Sequence, residues 1–209
     1  MNNRYQDFVF RDGKFVGQFE QMYRSSAEVP WHQDETANAI FSDITVAILR
    51  RCRPSSMLDV GCGLGYFTER VRAEIPTLSS VVGVDISPTA IDKAQRMFPS
   101  IRFLAGTLEE LSLPERTFDV VSSKDVIWYV LDGLAGYVER LARLSRRFVY
   151  IGQSFPDRRP YYGESVLPDA AALLGFLAQH GYRTAYSAIE VDSQYGGREY
   201  LHALIEVET

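Results

Sequence analysis

Three glycines at alternate positions, Gly61, Gly63 and Gly65, follow a short apolar run that contains Asp59. Glycine adopts positive φ at little steric cost and has no Cβ to exclude a bound molecule. The run itself has strand composition and the residues from Tyr66 onward have helical spacing, which predicts a strand-to-helix turn. Such a turn directs the free N–H groups of a helix N-terminus at a ligand. A tight turn that binds nothing is the alternative.

A second acidic residue, Asp85, ends the next predicted strand. An acid in that position accepts hydrogen bonds from the two hydroxyls of a ribose, although it could also cap the helix that follows Ser87. A dinucleotide is disfavoured, because Tyr66 stands where its fingerprint requires a third small residue and Asp59 would repel a pyrophosphate. An acid before the glycines suits a ligand with an ammonium group. S-adenosylmethionine (SAM) has both a ribose and a cationic amino-acid tail.

The elements that must position these residues alternate along the chain. A helix is predicted over about 35–48 and ends before Pro54, and three further helices are predicted over 66–74, 88–98 and 134–144. They separate predicted strands at 57–60, 81–85, 101–105, 118–122 and 148–151. A helix over 169–180 ends at Gly181, and strands at 184–191 and 199–207 are joined by a turn through Tyr195–Gly197. The order predicts an α/β fold: a doubly wound, mostly parallel seven-stranded sheet with helices on both faces and a C-terminal antiparallel hairpin.

The segment Leu58–Gly65 resembles motif I of the class I SAM-dependent methyltransferases. Asp85 matches the ribose-binding acid of that family, and Phe118–Val121 matches its fourth-strand motif. The resemblance covers about residues 35–207, with specific motifs confined to 58–125. It implies a SAM-binding domain over 35–209, preceded by an aromatic arm or lid over 1–34.

The resemblance also implies cofactor contacts along the carboxyl ends of the first four strands. Thr107 and Leu108 should flank the adenine, although the family often has an acid where Thr107 stands, and Lys124 should lie beside the methionine moiety. From the arm, Tyr23 and Trp31 are placed to attract the cationic tail through their rings; a buried anchor is the alternative for Trp31. The full predicted cofactor set is Asp59, Gly61, Cys62, Gly63, Gly65, Asp85, Ile86, Thr107, Leu108, Lys124, Tyr23 and Trp31.

The acceptor side is marked by residues that follow the fourth and fifth strands. Asp125 and His32 are the candidate bases for an acceptor amine or hydroxyl, while alignment and desolvation supply much of the rate of methyl transfer. Asp125 could instead pair with the SAM ammonium or sit at a helix N-terminus, and His32 could be a surface residue. The predicted substrate-binding residues are Trp128, Tyr129, Arg158 and Tyr161, the loop arginine being suited to an anionic acceptor. Core packing for the first two and a solvated loop for the arginine are the alternatives.

The composition of the chain disfavours several classes of protein. The chain has 209 residues, a formal net charge of −5 and two cysteines. The acidic balance disfavours nucleic acid and anionic membranes, and two cysteines predict neither a disulfide framework nor a metal cluster. The first residues lack the apolar core of a signal peptide, and no apolar run reaches the ~18–20 residues of a membrane span. We therefore expect a cytoplasmic protein, monomeric or homodimeric.

These observations predict a biosynthetic methyltransferase that uses SAM, yields S-adenosylhomocysteine (SAH) and needs no metal. The expected acceptor is an N or O atom of a small molecule of natural-product, sugar or amino-sugar type. A methyltransferase of protein or nucleic acid is one alternative. A non-catalytic SAM-binding regulator or assembly protein is another.

Overall fold

Nine strands are found in a computed structural model that describes residues 5–157, 159–192 and 198–207. In chain order they are β1 (Phe10–Arg11), β2 (Lys14–Phe15), β3 (Ser56–Val60), β4 (Ser80–Asp85), β5 (Arg102–Ala105), β6 (Phe118–Lys124), β7 (Ser145–Phe155), β8 (Arg183–Asp192) and β9 (Arg198–Glu206). The last seven form one sheet in the order β5-β4-β3-β6-β7-β9-β8. Its first five strands are parallel, and β9 runs antiparallel to β7 and β8. The predicted sheet and its C-terminal hairpin are confirmed.

Seven α-helices accompany the strands in the described residues: α1 (Phe19–Ser25), α2 (Gln33–Thr36), α3 (Ile40–Cys52), α4 (Tyr66–Glu74), α5 (Pro88–Met97), α6 (Leu134–Leu144) and α7 (Ala170–Gln179). Residues that alternate along β3 serve opposite faces of the sheet, as period-two geometry requires. Leu58 packs with the apolar faces of α6 and α7, whereas Met57 packs with α3 and α4. Helices therefore cover both faces.

The predicted helix over 35–48 is interrupted in the structure. The α2 helix ends at Thr36 and α3 begins at Ile40, so residues 37–39 connect them. The Arg70 guanidinium explains the break, because it donates to the Ala37 carbonyl and pairs with Asp43 in α3. Ser42 also donates to the Thr36 carbonyl. Periodicity along one segment could not reveal that a side chain of α4 takes up a carbonyl of this helix.

The N-terminal residues form an arm of short elements. A 3-10 helix (Tyr5–Phe8) precedes the β1–β2 hairpin, and α1 and a second 3-10 helix (Pro30–His32) follow it. Their apolar residues cluster with Tyr129 and Leu64 of the main domain. The arm therefore packs over the carboxyl edge of the parallel strands, where ligands of open α/β sheets bind. No described helix has the length and apolarity that crossing a membrane requires.

Candidate functional site

The glycine turn connects β3 to α4 at this edge. Gly61, Gly63 and Gly65 have φ of +75°, +54° and +80°, values that favour glycine. The turn is fastened to the neighbouring strand, because the Gly61 and Cys62 N–H groups donate to the Val84 carbonyl at 2.8 and 3.0 Å. Its conformation is therefore set by backbone geometry and by the adjacent strand.

Each glycine also makes room for a neighbouring side chain. A Cβ on Gly61 would lie 2.4 Å from Val126 Cγ2, and a Cβ on Gly65 would lie 2.7 Å from Phe103 Cζ. A Cβ on Gly63 would lie 2.3 Å from Gln33 Nε2. Close packing of side chains against the turn thus requires glycine at all three positions.

Asp85 joins the turn to the start of α5. Its Oδ2 accepts from the Gly63 N–H and its Oδ1 from the Ser87 N–H, both at 2.9 Å. A carboxylate oxygen has two lone-pair sites, so each oxygen can still accept a ligand hydroxyl. Asp85 is 8% exposed and burial raises its pKa to about 6. The helix cap itself is Ser87, whose Oγ accepts from the Ala90 N–H, so Asp85 holds the capping residue and its carboxylate is not used up.

Asp59 lies before the turn and is almost fully buried. Thr68 Oγ1 donates to its Oδ2 at 2.6 Å. Burial raises the pKa of Asp59 to about 6, although the hydroxyl of Thr68 and the charge of Lys124 oppose that rise. A buried carboxylate of this kind is stabilised as an anion by a cationic ligand.

A cavity of about 1330 Å³ opens between the sheet edge and the arm. Most of the predicted residues line it: Asp59, Gly61, Cys62, Asp85, Ile86, Thr107, Leu108, Lys124, Tyr23 and Trp31 from the cofactor set, and Asp125, His32, Trp128 and Tyr129 from the acceptor set. Gly63, Gly65 and Tyr161 are absent from its wall. Arg158 and the turn through Tyr195–Gly197 lie outside the described residues.

Asp125 follows β6 in a left-handed conformation, with φ of +57°. Its Oδ1 accepts from the Ser154 N–H at 2.9 Å. Its Oδ2 lies 3.3 Å from both Lys124 Nζ and the Tyr200 hydroxyl, which donates to it. Gly152 leaves space for that hydroxyl, since a Cβ there would lie 2.6 Å from it. Asp125 is thus held from three sides while its side chain stays 35% exposed.

Lys124 lies between aromatic rings. Its Nζ is 4.6 Å from the centroid of Phe41, 5.3 Å from Phe67 and 5.7 Å from Tyr200. Rings at these distances attract an ammonium group. Sequence reasoning identified Lys124 but missed these rings and the Tyr200 contact, because they come from α3, α4 and β9.

Tyr129 is the centre of the contact between the arm and the main domain. Its ring is 4.9 Å from Phe19 in an edge-on arrangement and 5.9 Å from Phe15 in a stacked one. Trp31 packs against it at 6.1 Å. Aromatic pairs of this geometry contribute roughly 0.5–1.5 kcal/mol each beyond burial of their surface.

Two polar side chains of the arm were not predicted as site residues. Gln33 Oε1 accepts from the Leu64 N–H of the glycine turn at 2.8 Å, and its Nε2 donates to the Tyr23 hydroxyl at 3.0 Å. Glu20 accepts from the Ser87 and Thr89 hydroxyls, both at 2.6 Å, at the start of α5. Burial raises the pKa of Glu20, but the hydrogen bonds from Ser87 and Thr89 outweigh it and lower the value to about 2. Neither residue has a sequence signature, because each partner is distant in the chain.

Part of the chain is similar in sequence to known methyltransferases. A family model described as a methyltransferase domain matches residues 57–147. A Mycobacterium tuberculosis protein named "Probable S-adenosylmethionine-dependent methyltransferase" is 31% identical over 108 residues, which are 52% of this chain and 38% of that protein. Malonyl-[acyl-carrier protein] O-methyltransferase of Serratia marcescens is 31% identical over 90 residues, 43% of this chain and 34% of that protein. The chain thus spans well under half of these relatives.

Solved structures agree on the fold. A magnesium protoporphyrin IX methyltransferase from Synechocystis with bound SAM has a TM-score of 0.58 at 20% identity, and the alignment covers 96% of this chain and 89% of that one. A SAM-dependent methyltransferase from Mesorhizobium loti has a TM-score of 0.64 at 15% identity and covers 81% and 99%. Residues 57–147 therefore match a methyltransferase domain, and the chain has the fold of SAM-dependent methyltransferases.

The residues of this methyltransferase domain fit SAM. The cavity exceeds the roughly 300–1,000 Å³ of a typical small-molecule site, which leaves room for an acceptor beside a cofactor. Asp85 retains lone pairs for a ribose, and the raised pKa of buried Asp59 suits an ammonium partner. Among the described residues, no group of three or more His, Cys, Asp or Glu side chains is arranged to hold a metal ion.

Of the other residues predicted to bind or deprotonate the acceptor, Trp128 and His32 line the cavity and Tyr161 does not. Trp128 lines the cavity, but its Nε1 donates to the Ser154 carbonyl at 3.0 Å and its ring packs on Phe155. The Tyr161 hydroxyl lies 2.7 Å from the Pro168 carbonyl, to which it donates, and its ring packs edge-on to Trp128. His32 is exposed at the cavity wall with φ of +49°. Tyr162, which sequence reasoning did not select, lines the cavity instead of its neighbour.

Proposed function

We propose that the protein is a SAM-dependent methyltransferase that methylates an N or O atom of a small, cytoplasmic acceptor. The observation that carries the proposal is the cavity of about 1330 Å³, whose wall includes Asp85, Gly61 and Cys62 of the glycine turn, and Asp125. When bound, SAM supplies a methyl group on a positively charged sulfur. The side chains of the domain hold the two reactants and exclude water.

The cofactor would occupy the part of the cavity beside the glycine turn. Asp85 would accept the ribose hydroxyls, Asp59 would face the ammonium group, and Thr107 and Leu108 would flank the adenine. Tyr23 and Trp31, which line the cavity from the arm, would cover the methionine part. Gly63 and Gly65 would act through the shape of the turn, since they do not line the cavity.

The acceptor would enter beside Asp125, Trp128 and Tyr129, which line the cavity together. Asp125 is the better candidate for receiving the acceptor's proton, because backbone and side-chain donors hold it in place. His32 is the second candidate, from the arm. Enclosure by the arm supports a small acceptor in preference to a protein or nucleic-acid chain.

Calorimetry with SAM and SAH tests the cofactor assignment, and the transfer of a labelled methyl group from SAM to pooled small molecules tests turnover. We expect both ligands to bind in a 1:1 ratio and a labelled product to form. An Asp125→Asn variant should retain SAH affinity and lose turnover. Failure to bind either ligand would refute the proposal, whereas binding without turnover on any acceptor would favour a SAM-binding regulator.

A further inference from the structure

We propose that the acceptor of this site presents an amino group, recognised by the carboxylates and aromatic rings of the cavity wall beyond the cofactor residues. This inference rests on the proposed function and narrows its acceptor. It starts from the charges that face the cavity.

Acidic side chains outnumber basic ones in the wall of the cavity as a whole. Once Asp59 and Asp85 are assigned to the cofactor, Lys124 and Arg198 are the basic residues among the described lining residues. The acidic ones are Glu35, Glu109, Asp125, Asp132, Asp157 and Glu190. A carboxylate or phosphate acceptor would meet like charges here, and an ammonium group would meet opposite ones.

The two less exposed of these acids lie close together. Glu190 in β8 is paired directly with Tyr200 in β9, so their side chains share a face of the sheet. The Tyr200 hydroxyl donates to Asp125, which links the two carboxylates through one ring. The Glu190 side chain is only 13% exposed and Oε2 lies 3.3 Å from His202 Nε2. An amine between Asp125 and Glu190 would have charged acceptors on two sides.

His202 does not offset the charge of Glu190 at neutral pH. Its ring is fully buried, and burial together with the charge of Lys124 lowers its pKa to about 4. The Tyr150 hydroxyl lies 2.8 Å from Nδ1, so a neutral ring can accept there and donate to Glu190 from Nε2. The neutral imidazole therefore orients the Glu190 carboxylate and adds no positive charge beside it.

The aromatic wall favours the same ligand. Trp128, Tyr129 and Tyr162 line the cavity, and ring faces attract cations. The cavity already holds one ammonium group in this way, because Lys124 Nζ lies 4.6 Å from the Phe41 centroid. An anionic headgroup would gain nothing from such faces.

Lys124 and Arg159 are both engaged by neighbouring groups of the protein. Lys124 is paired with Asp125 and enclosed by rings. Arg159, in the loop after β7, pairs with Glu164 at 2.8 Å and donates to the Pro168 carbonyl at 2.9 Å, and it does not line the cavity. Arg159 therefore gives no support to the arginine-based recognition of an anion that the loop sequence suggested. Arg198, exposed at the start of β9, is the arginine among the described residues that lines the cavity.

The test measures binding of matched probes to the SAH-saturated protein by calorimetry. Two sets share a skeleton and differ in headgroup: phenethylamine, 2-phenylethanol and 3-phenylpropanoate, and glucosamine, glucose and glucuronate. We expect an amine to bind at least about tenfold more tightly than the carboxylate of its set. Asp125→Asn and Glu190→Gln should each reduce that preference, whereas Glu139→Gln, which removes a surface carboxylate paired with Arg143, should leave it unchanged.

The inference is wrong if a carboxylate binds as tightly as its matched amine, if no amine binds a protein that does bind SAH, or if neither variant changes the preference. Because SAH binding is measured first, these outcomes are separate from a failure of the proposed function, in which SAH itself does not bind. Retained SAH affinity in both variants shows that they are folded.

Discussion

The glycine turn and the aromatic arm border the same cavity, but different interactions stabilise them. The turn is held by backbone hydrogen bonds to β4 and by φ values that favour glycine. The arm is held by rings around Tyr129 and by polar contacts of Glu20, of Gln33 and of the Tyr23 carbonyl, which accepts from Lys93. We therefore expect one added methyl group to disrupt the turn. The arm is attached through many contacts, so the loss of one of them should weaken it only in part.

Gly63→Ala should have the largest effect. The added Cβ would require an unfavourable φ and would clash with Gln33 and Tyr23. We expect loss of detectable SAH binding by calorimetry and destabilisation by about 2–3 kcal/mol in denaturant unfolding. The matched change Gly175→Ala lies in α7 with no atom near its Cβ and should be neutral or stabilising by up to about 1 kcal/mol. Normal SAH binding by Gly63→Ala would show that the turn tolerates a side chain.

Asp85→Asn should come next. The amide keeps the size of the carboxylate, but it has one acceptor oxygen where the carboxylate has two, so either the Gly63 or the Ser87 N–H loses its acceptor. It also loses the charge that would strengthen hydrogen bonds from ribose. We expect SAH affinity to fall about 10- to 100-fold, since hydrogen bonds to charged groups contribute about 1.5–3 kcal/mol. Asp92→Asn, on exposed α5 surface, is the control. Unchanged affinity in Asp85→Asn would exclude this residue from the cofactor site.

The pH dependence of SAH binding should follow the two buried acids. Burial raises the pKa of Asp59 and Asp85 to about 6, so both are largely protonated at pH 5 and ionised at pH 7.5. Binding that requires both carboxylates should therefore weaken about 100-fold on going from pH 7.5 to 5, about tenfold for each acid. The dependence should be shallower in Asp85→Asn, and an identical dependence in that variant would contradict the assignment.

The same two groups predict the pH dependence of the unliganded protein's stability. In the unfolded chain, aspartate titrates near about 3.9, so between about pH 4 and 6 the folded state binds more protons than the unfolded state. The contribution of these groups to the free energy of unfolding should decrease as pH rises through that range. Saturating SAH should reduce the decrease, which thermal unfolding at several pH values can measure.

Gln33→Ala should have the smallest effect on SAH binding, but it should measurably increase the opening of the arm. It removes the acceptor of the Leu64 N–H but leaves the ring contacts of Tyr129. We expect SAH affinity to fall by a few-fold, in line with one lost hydrogen bond of about 1 kcal/mol. Hydrogen exchange should rise over residues 19–36 and at Leu64. Exchange that stays at the wild-type level would show that the rings alone close the arm.

Much of the fold follows from local signals. Strand and helix alternation, the Ser87 cap of α5 and the Asp169 cap of α7 are set by residues within a few positions of one another. Their prediction was accurate to within a few residues, apart from the helix broken at Ala37. That break depends on Arg70, 33 positions away. Local periodicity contains no information about such a contact.

The amino-acid sequence by itself determined the glycine turn, the acids at the ends of β3 and β4, and the order of the elements. These features depend on backbone conformation and on period, which act between near neighbours. Only the tertiary structure decided which side chains meet at the cavity. Glu20 reaches Ser87 across 67 positions and Tyr200 reaches Asp125 across 75, through the packing of the arm and the pairing of β9 with β7. The proposed cofactor residues could therefore be selected from the sequence, whereas the contacts of the proposed acceptor residues depend on the fold.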